Sequence, residues 1–269
     1  MSELSIGGPR SAVVEPVGRR RVVHVEQVMG TAVSLDLREP WVAARAVDAF
    51  FAWLKSVDAR FSTYREDSQV SRLRRGEISV EETDGDFREV LAMCGEVERL
   101  SHGAFDIWHH SAAGIDPSGL VKGWSIDRGA RLLRDAGARN FCINAGGDVL
   151  ACGEAAPGHS WRIGIRHPET PDKIAAVVAG CDIAVATSGA YERGDHIVDP
   201  VTGRSPSGLL SMTIAGASLA SADAFATAAF AMGESGVAWM TQLGGYAGLA
   251  ITTQRRVVWS EGFDALLAA

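Results

Sequence analysis

Apolar and polar side chains alternate through Val23, Val25 and Val28 and again through Val33, Leu35 and Leu37. That period of two predicts a pair of strands over 22–37, turning around Met29-Gly30-Thr31. The period lengthens after Pro40, where Val42, Ala46, Ala49, Phe50, Trp53, Leu54 and Val57 share one face of a helix reaching about residue 60. Residues 61–84 are polar and irregular and read as loops. A second helix is predicted over 86–102, ended by Gly103, and after a loop at 103–120 a third over 123–136, ended by Gly137. Short β segments follow at 140–144, 148–151, 161–166, 174–178 and 183–187, with Gly146-Gly147 and Gly180-Cys181 as hairpin turns. A strand at 209–215 leads into a helix at 221–231; a helix at 235–243 and strands at 247–252 and 256–259 close the chain. Strands that arrive in runs predict an α+β fold, with mixed or antiparallel sheets flanked by helices. The division is a flexible tail over 1–21 and one domain over 22–269.

The helix at 221–231 is built almost wholly of Ala and Phe, which marks it for the core. Its exceptions are Ser221, Asp223 and Thr227. Asp223 and Thr227 stand at i and i+4, so a carboxylate and a hydroxyl share one face, their Cβ atoms roughly 6 Å apart. A carboxylate in such surroundings requires a partner, because an unpaired buried charge costs several kcal/mol or more. Two readings stand at this point. The pair suits a hard cation such as Mg²⁺, which prefers oxygen and few protein ligands. Equally, it suits a helix start with Ser221 as N-cap, Asp223 in the first turn and Thr227 bonding back to a carbonyl.

Composition narrows the partners more than the chemistry. The 269 residues allow one large core or two lobes sharing a cleft, and 46% hydrophobic with 22% charged residues is ordinary for a globular protein. A net charge of −7 argues against nucleic acid as partner. The basic runs Arg19-Arg20-Arg21 and Arg72 to Arg75 read as solvated faces. Cys94, Cys142, Cys152 and Cys181 show neither C-x-x-C nor zinc spacing and read as free thiols of a reducing compartment, with Cys94 and Cys142 as small core residues. Residues 1–23 contain no apolar signal region and no apolar stretch reaches membrane-spanning length, so no membrane span and a cytoplasmic location are expected.

Three further stretches carry candidate chemistry. His196-Ile-Val-Asp-Pro-Val-Thr-Gly203 places a histidine on a strand ahead of a turn, preceded by the small-residue loop Ala186-Thr-Ser-Gly-Ala-Tyr191. Asp116-Pro-Ser-Gly-Leu-Val-Lys-Gly-Trp-Ser-Ile-Asp127 brings Lys122 to a loop-to-helix junction, where an ammonium and backbone N–H groups can meet a phosphate. Asn144-Ala-Gly-Gly-Asp148 offers a turn with exposed backbone, or a plain hairpin. No P-loop, no Rossmann glycine motif and no G-x-S-x-G elbow is present.

In their order and spacing these pieces resemble the ApbE family of FAD:protein FMN transferases. The segments that carry the resemblance are Met29-Gly-Thr31, Phe61-Ser-Thr-Tyr64 with Ser68-Gln-Val-Ser71, Gly103-Ala-Phe-Asp106, and Asp116 through Gly123. They continue with Asn144-Ala-Gly-Gly-Asp148, Ala186-Thr-Ser-Gly189, His196-Ile-Val-Asp-Pro200, and Asp223 with Thr227, across roughly residues 28–233. The resemblance implies two lobes around a flavin-binding cleft and Mg²⁺-dependent transfer of the FMN half of FAD to a threonine hydroxyl of an acceptor protein, with AMP released. It implies metal ligation by Asp223, Thr227 and a backbone carbonyl nearest Gly119. FAD contacts map to Met29, Tyr64, Ala104, Phe105, Asp106, Asp116, Lys122 and Ile197, with Tyr64 and Phe105 as flat surfaces and Asp106 and Asp116 as acceptors.

Pyrophosphate cleavage needs charge neutralisation, which assigns Lys122 a catalytic role beside the metal. His196 is the candidate general base, with an ordinary pKa near 6.5. FAD pyrophosphatase activity, giving FMN and AMP, and non-catalytic flavin binding are the alternatives. The chain departs from the family's usual D-x-G-G-I-A-K-G by Pro117-Ser118 before Gly119, and carries Leu73-Arg74 where Leu-Asn is common. The family's export signal and lipobox cysteine are missing from these residues, which implies a cytoplasmic acceptor.

Overall fold

Main-chain hydrogen bonding sorts the strands into two sheets in this computed structural model, which describes residues 21–39, 41–42, 44–108, 114–170, 172–189 and 206–268. The larger is an 8-stranded sheet in the order β1 (Val22–Val28), β2 (Thr31–Leu37), β3 (Phe141–Ala145), β4 (Asp148–Cys152), β7 (Ile183–Gly189), β8 (Leu209–Gly216), β9 (Ala247–Thr252) and β10 (Val257–Trp259). β5 (Trp161–Arg166) and β6 (Ile174–Gly180) form a separate 2-stranded sheet. Every pair in both sheets is antiparallel. Between β2 and β3 lie α1 (Ala44–Phe61), α2 (Gln69–Arg74), α3 (Gly85–Leu100) and α4 (Ser118–Asp135). Between β8 and β9 lie α5 (Leu219–Ala231) and α6 (Glu234–Met240).

The helices and the small sheet cover opposite faces of the large one. Leu35, Ile143, Leu150, Ala186 and Ile214 turn toward Phe50, Leu120, Ala226 and the other helical residues. Val149, Val185, Ala215 and Leu249 turn the other way, toward Trp161, Ile163 and Val178 of the small sheet and Phe263. The central strands are therefore buried on both faces, which is why 148–152 and 183–189 read as continuous apolar runs rather than alternating ones. β1 is an edge strand, and its alternation points outward: Val23 and Val25 are 51% and 57% exposed, while the His24 ring packs at a tilt against Phe51, 4.7 Å between centroids.

Several predicted boundaries shift. The stretch 61–84 holds α2, N-capped by Ser68, whose Oγ accepts from Ser71 N at 3.0 Å. Six residues are too few to show a helical period. Within the basic run 72–75, Arg74 is not solvated: its side chain is 14% exposed, Nε donates to the Ile115 carbonyl at 2.8 Å, and the guanidinium lies 3.8 Å from Asp116. Gly180-Cys181 is not a hairpin turn, because β6 pairs with β5 and the chain crosses there to the large sheet, where β7 pairs with β4 and β8. Gly146-Gly147 does join the β3–β4 hairpin. Met29-Gly30 turns between β1 and β2 with φ of 54° and 71°, the left-handed pair that a tight hairpin needs. Helix α4 begins at Ser118, five residues before its predicted start at 123, so Gly119 and Lys122 are helical. Cys94 and Cys152 are buried, Cys142 only partly, and all four thiols are free. Residues 1–20 of the expected tail lie outside the described residues, and among those described no helix is long and apolar enough to cross a membrane.

α4 and α5 approach more closely than side chains allow. A Cβ built on Gly123 would overlap the Leu219 carbonyl oxygen and stand 2.7 Å from Ala220 N. One turn on, Asp127 accepts from Ser218 Oγ at 2.8 Å, Leu219 N at 3.1 Å and Ala220 N at 3.0 Å, holding the first turn of α5 against α4. Ser218 is the true N-cap, its Oγ accepting from Ser221 N. Asp223 is therefore past the first turn, and the capping reading of Ser221 and Asp223 does not hold.

Two stability outcomes follow from this contact. Gly123→Ala gains roughly 1 kcal/mol of helix propensity but forces apart two backbones, an overpacking cost of about 1–3 kcal/mol. The net expectation is a lower urea midpoint, and an unchanged midpoint would show that the helices separate freely. Asp127→Ala should lose about 1 kcal/mol by the same measurement, as removal of an N-terminal cap does; no loss would mean Ser218 alone holds the turn.

Candidate functional site

At the start of β4, where the sheet meets α4 and α5, three charged side chains converge. Asp148 opens β4 and is 1% exposed; its Oδ1 accepts from Thr187 N of β7 at 3.0 Å. Its Oδ2 has no hydrogen bond of good angle, and its partner is the Lys122 ammonium, at 2.5 Å as an ion pair. Lys122 Nζ also lies 3.7 Å from Asp223 Oδ1. Asp223 is 5% exposed, and its Oδ2 accepts from Gly123 N at 3.3 Å. One ammonium thus sits between two buried carboxylates contributed by different elements, an arrangement in which removing one partner strands the others.

Thr227 follows one turn after Asp223, and its Oγ1 lies 3.4 Å from Ser188 Oγ of β7. All of α5 is buried except Ser221 and Thr227, which are partly exposed, so this hydroxyl is the polar group of the helix that borders open space beside Asp223. Gly119 faces it from α4: a Cβ there would stand 3.5 Å from Thr227 Oγ1 and 3.2 Å from Phe105 Cε2. The glycine keeps a small gap against the threonine that any side chain would fill. Among the described residues no group of three His, Cys, Asp or Glu side chains is placed to hold a metal. The Asp223 carboxylate, the Thr227 hydroxyl and the backbone at Gly119 offer oxygen donors, a set whose chemistry fits Mg²⁺ rather than a softer metal.

The remaining sequence-derived candidates fall into three groups. Phe105 touches the gap through Gly119 but is itself 4% exposed, so its ring is a packed wall; its N–H donates to Ser101 Oγ. Met29 reaches α4, its Sδ 3.5 Å from Ser125 Oγ, whose hydroxyl has the Lys122 carbonyl as its nearer acceptor at 2.7 Å. Asp116 lies just before α4, where its Oδ1 accepts from Ser118 N at 3.0 Å and its Oδ2 faces Arg74. Ala104 and Asp106 lie in the turn after α3, where Asp106 Oδ1 accepts from Trp108 N. Tyr64 is 96% exposed, on a turn held by Ser68, whose Oγ donates to the Ser62 carbonyl. His196 and Ile197 lie outside the described residues.

Asp148, Ser188 and Asp127 belong to this arrangement; each stood inside a segment quoted from sequence, but none was given a role there. A signal for Asp148 was present: an acidic residue directly after Gly-Gly and directly before an apolar run. For Asp127 the only signal was its place on the buried side of α4, five residues after Lys122.

The profile of the ApbE family matches residues 29–113 and 107–250. A FAD:protein FMN transferase of Vibrio cholerae is 34% identical over 130 residues, covering 45% of this chain and 39% of that protein. One from Haemophilus influenzae is 26% identical over 246 residues, covering 68% and 71%. Of the first of these relatives, then, the chain spans well under half the length. The solved structure of the flavin transferase ApbE from Vibrio cholerae shares the fold with a TM-score of 0.82, over 93% of this chain and 100% of that one, at 23% identity. With the profile matching nearly the whole described region, and Gly119, Lys122, Asp223 and Thr227 assembled at one place, the chain belongs to the ApbE family.

Proposed function

We propose that this protein transfers the FMN half of FAD to a threonine hydroxyl of an acceptor flavoprotein and releases AMP. The observation that carries the reading is the convergence of Lys122, Asp223, Thr227 and Gly119 beside Asp148, in a chain whose relatives bear the name FAD:protein FMN transferase. In the reaction the threonine oxygen bonds to the phosphorus on the FMN side. The bond from that phosphorus to the bridging oxygen breaks, AMP leaves with the electron pair, and the hydroxyl proton passes to a base.

Asp223, Thr227 and the Gly119 backbone would hold Mg²⁺, which when bound neutralises charge on the pyrophosphate oxygens. Lys122 adds a second positive charge for the pyrophosphate, oriented by Asp148, which accepts from the Thr187 N–H. Positioning of this kind supplies most of the rate in phosphoryl transfer. His196 is the proposed base, worth about 10²–10⁴-fold. The free thiols support placing the reaction in the cytoplasm.

Mass spectrometry of flavoproteins co-expressed with this chain tests the reading, the expected result being an FMN-sized adduct on threonine. Free FMN formed at full rate without any acceptor, and no adduct, would replace transfer by hydrolysis. Asp223→Ala is expected to abolish the metal response and turnover; if both persist, the metal lies elsewhere. Lys122→Met should lower the rate of adduct formation by about 10²-fold or more. Near-normal transfer by His196→Ala at saturating FAD and Mg²⁺ would assign the base to another group.

A further inference from the structure

β1 closes one end of the large sheet and, among the described residues, pairs with β2 alone. Natural edge strands are commonly blunted by a bulge, a proline or a lysine that keeps another strand away. β1 has none of these: Val22–Val28 reads VVHVEQV, and its register with β2 is unbroken. Val22, Val23 and Val25 are all exposed, the last two by more than half. The turn at Met29-Gly30 decides which main-chain groups are free. Residues flanking a two-residue hairpin turn exchange both main-chain bonds, and the pattern alternates from there. Val28, Glu26, His24 and Val22 therefore spend theirs on β2, while Val23, Val25 and Gln27 turn N–H and C=O outward. Among the described residues no other segment bonds to them.

We infer that this edge pairs antiparallel with the same edge of a second copy of the chain, giving a two-fold dimer in which the two large sheets run on as one. The occupant follows from the sequence of β1, which is self-complementary about Val25. A pair centred there sets Val25 opposite the partner subunit's Val25, Val23 opposite the partner's Gln27 and His24 opposite the partner's Glu26. Each outward-turned residue then meets another outward-turned residue, so all three find main-chain partners; a centre moved to His24 would leave Gln27 outside the pairing. His24 Nε2 and Glu26 Oε1 already lie 3.1 Å apart within one chain, so the axis repeats between copies an interaction that each copy makes by itself.

Helix α1 carries the same complementarity. Phe51 packs against His24, and Lys55 Nζ lies 2.5 Å from Glu26 Oε2, so this side of α1 lies over β1. Asp48 and Ala52 share that side with Lys55, and all three are exposed. Under the axis that pairs the strands the two copies of α1 also run antiparallel. Asp48 is then set toward the partner subunit's Lys55 and Lys55 toward the partner's Asp48, with only the small Ala52 between them. An axis of this kind uses each edge once, so assembly stops at two copies. No group of the candidate site takes part, and the inference stands apart from the proposed transferase reading.

The test is sedimentation velocity of the full chain over a range of concentrations, without FAD or metal. The expected result is a reversible species of twice the mass of the single chain. Val25→Lys and Val25→Glu each place like charges face to face at the axis and should weaken the dimer about tenfold or more. Mixed together, the two variants should dimerise again, because lysine then faces glutamate. Val25 is more than half exposed, so neither variant disturbs the core, and an unchanged urea midpoint of the monomer checks this. Hydrogen exchange on the unaltered chain gives a second reading: the Val23, Val25 and Gln27 amides should gain protection as the dimer forms. A chain that stays monomeric at every soluble concentration would overturn the dimer, as would protection of those amides in a monomer, which would give the edge to residues 1–20. A dimer that tolerates both Val25 variants would belong to another surface and overturn the pairing. Failure of the mixture to recover would overturn the register about Val25.

Discussion

The contact between α4 and α5 at Gly123 sets the distance on which the candidate site depends. Both helices carry two of its groups, Gly119 and Lys122 on one and Asp223 and Thr227 on the other. With a side chain at 123 the two backbones would have to separate, because the obstacle is the main chain of residues 219 and 220 and no rotamer can move it aside. The Gly123 N–H then donates to Asp223, so the same residue that permits the approach also orients the carboxylate. Asp127 completes the fastening by accepting from the first turn of α5. Close packing of helices usually serves stability; here it also determines where an ammonium and two carboxylates meet.

The sheet supplies the third wall. Asp148 and Ser188 come from strands buried on both faces, so each polar side chain is held where water is largely excluded. Low polarity strengthens the ion pair and makes its loss expensive. A lysine on a flexible stem is held by this means at one place, and the acidic residue that holds it is itself tied to the backbone of the next strand.

How much of this was legible beforehand depends on whether the cause was local. The strands and the long helices followed from periodicity, and the α+β class from their order. The Asp223–Thr227 pair stood out because α5 has almost no other polar residue. The start of α4 was hidden because Pro117, Gly119 and Gly123 all read as loop formers, and the reason for the two glycines lies in α5 and Phe105, a hundred residues away or across a turn. The partners of Asp148 and Asp127 are likewise remote in sequence. The outward alternation of β1 could not be told from an inward one, since strand period does not say which face is covered. Arg74, a departure from the family pattern, looked like a surface charge; its contacts with Ile115 and Asp116 show it bracing the segment that leads into α4.

The strand order contains one further consequence. With β5 and β6 set aside, the large sheet follows the chain without a single exchange, β1 to β4 and then β7 to β10. The hairpin is thus an excursion between two strands that pair with each other regardless of its length. Its inner face is constrained, since Trp161, Ile163 and Val178 cover an apolar layer. Its other face, at Arg162, Gly164 and Arg166, is exposed. The apolar layer thus ties one face of the hairpin to the large sheet, while the strand order of that sheet does not depend on the hairpin.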